Sequence, residues 1–261
     1  MTTPETYRKL FDLEGKIALV AGGAGAIGAA ISEALAAFGA KVVICGRTGA
    51  KAEALAENIN TQGGQAWGVE LDIQDTGRVQ QVVSEVVDRY GRLDLMFNSA
   101  GTHKEAPAEE YTEADWDRVL GLNLKAAFFL SQAVAKVQIP QGGGKQIHVS
   151  SVRSLIAIQR GYIAYTTSRG GMNMMIKQLA TEWAKYNITV NGIAPTFTRT
   201  PLVKEYLEDP NFYNSLVARI PLGRVCETID LAGMAIYLAA PASDFITGQI
   251  IFADGGLTAT Q

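Results

Sequence analysis

Short apolar runs of strand length alternate along the chain with longer segments whose apolar residues recur at helical spacing. Seven β-strands are predicted from the apolar runs, at residues 17–20, 42–45, 65–71, 93–97, 146–150, 188–193 and 249–253. Runs this short, bounded by glycines and polar residues, are typical of strands that are buried on both faces of a sheet.

The segments between these strands predict amphipathic helices, because their apolar residues lie three or four positions apart. One apolar face comprises Ile27, Ile31, Leu35 and Phe38. Gly39 follows this face and is placed to end the helix. A second apolar stripe covers residues 79–90, and two longer helices are predicted at residues 116–137 and 165–186.

Strands separated by helices form right-handed crossovers, which make the strands parallel and place helices on both faces of one sheet. No linker of distinct composition interrupts the alternation, so residues 1–261 are predicted to form a single domain. Residues 196–230 carry no strand pattern and follow the carboxyl end of a strand, where ligands bind in such sheets. This long segment is predicted to form a lid over a site.

The composition narrows the class of protein. Hydrophobic residues make up 48% of the 261 residues and the net charge is −3, which excludes a disordered chain and gives no reason to expect nucleic-acid binding. Cys45 and Cys226 cannot form a disulfide scaffold, and no Cys/His cluster predicts a metal site. No segment offers the roughly 20 apolar residues of a membrane helix. We therefore expect a soluble, cytoplasmic protein.

A glycine-rich turn joins the first predicted strand to the first predicted helix, with the sequence Ala-Gly-Gly-Ala-Gly-Ala-Ile-Gly over residues 21–28. Glycines allow backbone N–H groups to approach a pyrophosphate, which the positive end of the helix dipole also attracts. A turn of this kind can also serve only to pack helix on sheet. The strand–turn–helix context favours dinucleotide binding, with contacts from Gly22, Gly25, Ala26, Ile27 and Gly28.

The end of the second strand indicates which dinucleotide is preferred. A site selective for NAD places an acid about 20 residues beyond the glycines, at the ribose 2′-hydroxyl. Between Gly28 and Lys51 the one acidic residue is Glu33, inside a predicted helix, and the strand is followed by Gly46 and Arg47. Arg47 offers a fork of donors that suits a 2′-phosphate. NADP(H) is therefore favoured, with NAD(H) as the alternative.

Further motifs resemble those of the short-chain dehydrogenase/reductase family over residues 13–257. Asn98-Ser-Ala-Gly101 is similar to the family's Asn-Asn-Ala-Gly, and Ser151 precedes Tyr165 at close to the family spacing. Residues 254–256 read Asp-Gly-Gly and resemble the terminal signature. The resemblance implies a single-domain Rossmann-type fold and hydride transfer between a secondary alcohol and a nicotinamide cofactor.

The resemblance also implies roles for individual residues. It assigns catalysis to Asn123, Ser151, Tyr165 and Arg169. It adds to the cofactor contacts Asp72, Ile73, Asn98, Ala100, Gly101, Tyr165, Arg169, Pro195, Thr198 and Thr200. It further implies a homotetramer built on the two longest helices.

One departure from the family pattern lies in the motif that contains the catalytic tyrosine. The family's Tyr-x-x-x-Lys is here Tyr165-Thr-Thr-Ser-Arg169. Residues four apart share a helix face, so the Arg169 charge can favour a Tyr165 phenolate. An arginine keeps its proton and is a poor proton carrier. We therefore expect electrostatic activation without a lysine relay, and an alternative in which the protein binds a dinucleotide as a sensor with little turnover.

Cationic and polar residues near the predicted strand ends indicate the substrate. His103 follows the fourth strand, Arg153 lies two residues after Ser151, and Thr196 and Arg199 follow the sixth strand. Together with Ser151 and Tyr165 they predict a substrate pocket for an anionic or heavily hydroxylated small molecule, because arginine forks suit carboxylates and phosphates. Residues 165–202 resemble gluconate, sugar-acid and polyol dehydrogenases. A ketoreductase for acyl thioesters is the third alternative.

Overall fold

A single parallel β-sheet organises the molecule, and the computed structural model describes residues 3–260. The strands are β1 (Ile17–Ala21), β2 (Lys41–Gly46), β3 (Gln65–Glu70), β4 (Leu95–Asn98), β5 (Gly144–Val149), β6 (Ile188–Pro195) and β7 (Ile250–Ala253). Their order across the sheet is β3-β2-β1-β4-β5-β6-β7, and all neighbours pair in parallel. This confirms the predicted doubly wound sheet of seven parallel strands.

The described residues form ten α-helices. They are α1 (Pro4–Lys9), α2 (Ala26–Ala37), α3 (Gly49–Thr61), α4 (Thr76–Tyr90), α5 (Glu113–Leu120), α6 (Ala127–Gln141), α7 (Ile163–Trp183), α8 (Lys204–Glu208), α9 (Pro210–Val217) and α10 (Thr228–Ala239). Within residues 3–260 no helix is both long and apolar enough to cross a membrane.

The core is built on both faces of the sheet. Successive residues of β1 point to opposite faces, so Val20 packs with α2 and α10 whereas Leu19 packs with α4 and α6. A further apolar group joins α7 to β6. Burial on both faces explains why the strands read as continuous apolar runs.

Two helix predictions are wrong in detail. Phe38, assigned to a buried face, is 43% exposed and lies at the end of α2, where the chain turns into Gly39. The helix predicted at residues 116–137 consists of α5, a π-helical turn over Gly121–Ala126, and α6. A π-turn inserts one extra residue into a helix and often marks a functional position. This one carries Asn123.

The segment between β6 and α10 has its own small apolar cluster. Leu207, Leu216 and Ile220 from the region of α8 and α9 pack against Val152 and Leu257. An isolated bridge between Thr198 and Cys226 closes the base of the segment. It therefore stands beside the turn that follows β5, at the carboxyl edge of the sheet.

Candidate active site

Two adjoining cavities open at the carboxyl edge of the sheet. The first, the glycine cleft, is lined by Gly22, Gly25, Gly46, Arg47, Thr48, Lys51, Asp72, Ile73 and Ala100. The second, the tyrosine cavity, is lined by His103, Ser151, Arg153, Tyr162, Tyr165, Arg169, Thr196 and Tyr206, and has a volume of about 220 Å³. Ser99 and Gly101 line both, so the two cavities are continuous.

The turn after β1 leaves no room for side chains. Gly22 has φ +71°, and a Cβ there would lie 2.7 Å from the Ala100 nitrogen. A Cβ on Gly28 would collide with the Gly22 carbonyl oxygen. The absence of a side chain at Gly28 therefore lets α2 pack against the turn. Gly28 and Ala26 were both expected to contact the cofactor, but in the described chain neither lines either cavity.

The amino end of α2 faces the glycine cleft with free backbone donors. Its N-cap, Gly25, supplies no side-chain hydrogen bond to the first turn. The first N–H groups of a helix lack internal partners and, with the helix dipole, attract an anion. The glycine turn leaves a space that side chains would otherwise fill, and the 12-residue helix α2 begins there without a side-chain cap. Together they fit the pyrophosphate of a dinucleotide.

The far end of the glycine cleft is positively charged. Arg47, Thr48 and Lys51 line it, and Asp72 is its one acidic residue within the described chain. Lys51 and Thr48 were missed in the sequence. Lys51 lies four residues after Arg47, so a search for a second cation near Arg47 could have found it.

Tyr165, near the start of α7, stands between Ser151 and Arg169. The Arg169 guanidinium carbon lies 5.0 Å from the centroid of the Tyr165 ring. Arg169 Nη1 donates to the Val149 carbonyl at 2.8 Å, which fixes the side chain beneath the cavity floor. Its buried Nε has no hydrogen-bond partner. The i, i+4 spacing thus brings the two side chains together as predicted.

The surroundings of Tyr165 favour its ionised form. Burial alone would raise the pKa of the phenol, but the Arg169 charge, polar contacts with Ser151 and Arg169, and the Arg153 charge together lower the pKa below its usual value of 10.0. A lowered pKa favours the phenolate, the form in which a tyrosine can act as a base.

Asn123 ties the loop after β4 to α7. Its Oδ1 accepts a hydrogen bond from the Thr102 N–H at 2.8 Å, and its Nδ2 donates to the Thr102 carbonyl at 2.8 Å and to Ser168 Oγ at 3.0 Å. Ser168 in turn donates to the Tyr165 carbonyl at 2.7 Å. Asn123 therefore positions Tyr165 through the backbone of α7.

Asn98, an expected cofactor contact, does not line either cavity in the described chain. It is fully buried, and its Oδ1 accepts a hydrogen bond from the Ala100 N–H at 3.1 Å. Its Nδ2 lies 3.5 Å from Nδ1 of His148, whose Nε2 is 3.0 Å from Ser131 Oγ. Burial, followed by the Arg169 charge, lowers the pKa of His148 to about 4. Asn98 shapes the turn that carries Ala100.

The tyrosine cavity has an aromatic wall and a cationic end. His103 meets Tyr162 and Tyr165 edge to face, with ring centroids 5.7 and 6.2 Å apart. Burial lowers the pKa of His103, although Glu105 works in the opposite direction. Arg153 is buried at the other side. Aromatic faces and a fork of donors suit a small polar molecule with an anionic group.

The residues that follow β6 divide between the cavity and the surface. Pro195, Thr196, Thr198 and Thr200 line the tyrosine cavity. Arg199 does not, contrary to expectation, because its exposed side chain pairs with Glu227 at 2.9 Å. The cavity also contains residues that were missed, Tyr162, Phe197 and Tyr206.

A doubly wound sheet with an anion-binding glycine turn and a tyrosine of lowered pKa at the same edge defines a dinucleotide-dependent oxidoreductase. A family profile described as enoyl-(acyl carrier protein) reductase matches residues 22–258. The chain belongs to the short-chain dehydrogenase/reductase family, within its sugar-acid and polyol branch.

Relatives of the chain share its full length. It is 34% identical to the gluconate 5-dehydrogenase of Gluconobacter oxydans over 97% of this chain and 98% of that one. It is 37% identical to the D-threitol dehydrogenase of Mycolicibacterium smegmatis, with 95% of each covered. A gluconate 5-dehydrogenase from Burkholderia cenocepacia, solved with NADP and tartrate, superposes with a TM-score of 0.93 at 35% identity, covering 97% of this chain and 99% of that one.

Proposed function

We propose that this protein is an NADP(H)-dependent dehydrogenase that interconverts a secondary alcohol and a ketone on a sugar acid or polyol. The observation that carries the proposal is the Tyr165 hydroxyl, whose pKa is lowered and which lines the tyrosine cavity beside Ser151. Its neighbours, Ser151 and Arg169, have the chemistry that proton transfer to and from a carbinol oxygen requires.

The glycine cleft fits NADP(H) from end to end. Gly22, Gly25 and the amino end of α2 would hold the pyrophosphate, and Asp72 with Ile73 would border the adenine. Arg47 and Lys51 would meet the 2′-phosphate, because they are cations that line the cleft, where Asp72 is the one acid among the described residues. Thr198 and Thr200 line the tyrosine cavity, which adjoins the cleft. When bound, NADP⁺ supplies the acceptor for the hydride of the alcohol.

The side chains of the tyrosine cavity would handle the proton. In oxidation the Tyr165 phenolate takes the proton of the substrate hydroxyl, while the C–H hydride leaves and the carbinol carbon becomes a carbonyl. Ser151 donates a hydrogen bond to the same oxygen and fixes its position. Arg169 stabilises the phenolate but keeps its own proton. The proton taken up by Tyr165 therefore leaves through hydroxyls and water.

An activity screen tests this proposal. Purified protein is assayed at 340 nm, where NADPH absorbs, with NADP⁺ and NAD⁺ and a panel of aldonates and polyols. We expect turnover with at least one of these and a preference for NADP⁺. Cofactor binding without turnover on any alcohol or ketone would instead support the sensor, and reduction confined to acyl thioesters would support a ketoreductase.

Three sequence predictions enter the proposal unchanged. They are a lid formed by residues 196–230, a homotetramer, and a cytoplasmic location. The apolar cluster of α8 and α9 beside the tyrosine cavity supports the first. Chromatography with light scattering would test the second, because a tetramer has four times the 27.9 kDa mass of the chain.

A further inference from the structure

Arg153 is a buried arginine in the turn that follows β5. Its side chain lines the tyrosine cavity yet is only 6% exposed. Nη1 donates to the Ala157 carbonyl at 3.2 Å, and the buried Nη2 has no hydrogen-bond partner. Among residues 3–260 no carboxylate lies within ion-pair distance of it. A buried guanidinium without a counter-ion is costly and cannot be relieved by loss of its proton.

The charged groups around Arg153 increase this cost. Burial is the main cause that lowers its pKa, and the Arg219 charge adds to it, while Tyr162 and Tyr165 work in the opposite direction. The neighbouring cation and the absent carboxylate leave a positive potential at this end of the cavity. An anionic ligand group would remove both the unmet donor and the uncompensated charge.

Two more unsatisfied polar atoms belong to the same cavity. Thr196 Oγ1 and Arg169 Nε are buried and have no partner. Arg153 lies two residues from Ser151, and the Arg153 backbone N–H donates to Ser151 Oγ at 3.1 Å. The unpaired donor Arg153 Nη2 therefore lies in the same turn as the Ser151 hydroxyl, which we propose to bind the reacting oxygen of the substrate.

We infer that Arg153 is the receptor for a carboxylate carried by the substrate, so that the site selects hydroxy acids over neutral polyols. This inference rests on the proposed function. A carboxylate presents two oxygens in the plane of the guanidinium fork, whereas a polyol terminus presents one neutral hydroxyl. The carboxylate also lies close to the oxidised carbon, because receptor and Ser151 share one short turn.

Substitution of Arg153 by glutamine tests the inference. Glutamine can still donate to the Ala157 carbonyl but carries no charge. We expect kcat/KM for gluconate to fall about 100-fold or more and that for its neutral counterpart, glucitol, to change less than about threefold. Arg199→Gln is the matched control, since Arg199 is an exposed arginine outside the cavity. An equal loss for acid and polyol would mean that Arg153 only supports its loop.

A binding experiment separates this inference from the proposed function. Enzyme saturated with NADPH cannot oxidise an alcohol, so tartrate and threitol, which share a carbon skeleton, can be titrated by calorimetry. We expect the wild type to bind tartrate more tightly than threitol. In Arg153→Gln the affinity for tartrate should fall about 100-fold, so that this preference is lost. Such a result, together with no turnover in the activity screen, would uphold the carboxylate receptor and refute the dehydrogenase. Absence of tartrate binding to the wild type, or binding unaffected by the substitution, would refute the receptor.

Discussion

The glycine cleft and the tyrosine cavity lie side by side, but they are built in different ways. The glycine cleft is lined by the turns that directly follow β1, β2, β3 and β4. The tyrosine cavity collects side chains from the segments after β4, β5 and β6 and from α7 and α8. The first therefore consists of short turns at the strand ends, and the second also depends on helices and longer segments packed over the sheet.

The two regions also differ in how completely their polar groups are paired. Among the described residues, six buried side-chain polar atoms have no partner; three belong to residues of the tyrosine cavity and none to residues that line the glycine cleft. Those three are Arg153 Nη2, Arg169 Nε and Thr196 Oγ1. Unmet buried groups cost stability and persist where a ligand completes them. We therefore expect substrate specificity to depend on these side chains of the tyrosine cavity.

Removal of the Tyr165 hydroxyl should show the largest difference between the two regions, because it affects turnover and not the binding of the cofactor. For Tyr165→Phe we expect kcat/KM to fall about 10²- to 10⁴-fold, because the acid–base group is lost. The affinity for NADPH, measured by fluorescence titration, should change little. Tyr186→Phe, which alters a tyrosine lining neither cavity, is the control. Near-normal turnover of Tyr165→Phe would show that another group moves the proton.

Loss of Arg47 should affect the glycine cleft alone. We expect Arg47→Ala to raise the KM for NADP⁺ about 10- to 100-fold, because a charged hydrogen bond to the phosphate is lost. The KM for NAD⁺, which lacks that phosphate, serves as the internal control and should hardly change. Equal effects on both cofactors would contradict a 2′-phosphate site at Arg47.

Arg169 sits at the boundary between the regions and tests how Tyr165 is activated. Oxidation needs the phenolate, whose pKa is lowered from 10.0, so the rate should rise with pH and reach half of its maximum below pH 10. Reduction needs the protonated phenol and should decline over the same range. Arg169→Lys keeps the charge and should retain or increase turnover.

A neutral variant at the same position gives the opposite result. Arg169→Gln removes a charge close to the phenolate, so the rising limb for oxidation should move up by about one pH unit or more. A complete loss of activity in Arg169→Lys, or an unshifted profile in Arg169→Gln, would contradict electrostatic activation.

Arg160 provides the smallest test, at the outer wall of the tyrosine cavity. Its guanidinium lies 4.8 Å from the Tyr206 ring centroid and 5.0 Å from that of Phe212, and it pairs with Glu105 at 3.1 Å. Loss of such contacts costs about 1 kcal/mol in total. We expect Arg160→Gln to raise the substrate KM roughly three- to tenfold with little change in kcat.

The control for Arg160 is Arg224→Gln, which breaks an exposed ion pair with Asp230 away from the cavity. It should leave both constants within about twofold of the wild type. A fall in kcat for Arg160→Gln that matched the change in KM would mean that Arg160 acts on the chemistry and does not merely hold α8 and α9 in place.

Local patterns in the sequence determined the sheet and the glycine cleft. A buried parallel strand requires an apolar run, and a pyrophosphate turn requires positions such as Gly22 that tolerate neither a side chain nor a negative φ. The apolar run and the glycine positions each involve residues that are neighbours in the chain, so both can be recognised in the sequence without the fold. The proximity of Tyr165 and Arg169 could be predicted in the same way, because residues four apart share a helix face.

Tertiary structure alone decided which charged residues serve the site. Arg153 and Arg199 both follow strands at the carboxyl edge, and the sequence treats them alike. The fold gives Arg199 a carboxylate partner in Glu227, 28 residues away, and buries Arg153 where its Nη2 has no hydrogen-bond partner. Whether a charge is neutralised depends on residues distant in the chain, and so does the place of Tyr206 beside the cavity. Sequence thus determined the fold and the cofactor turn, whereas long-range packing selected the residues that face the substrate.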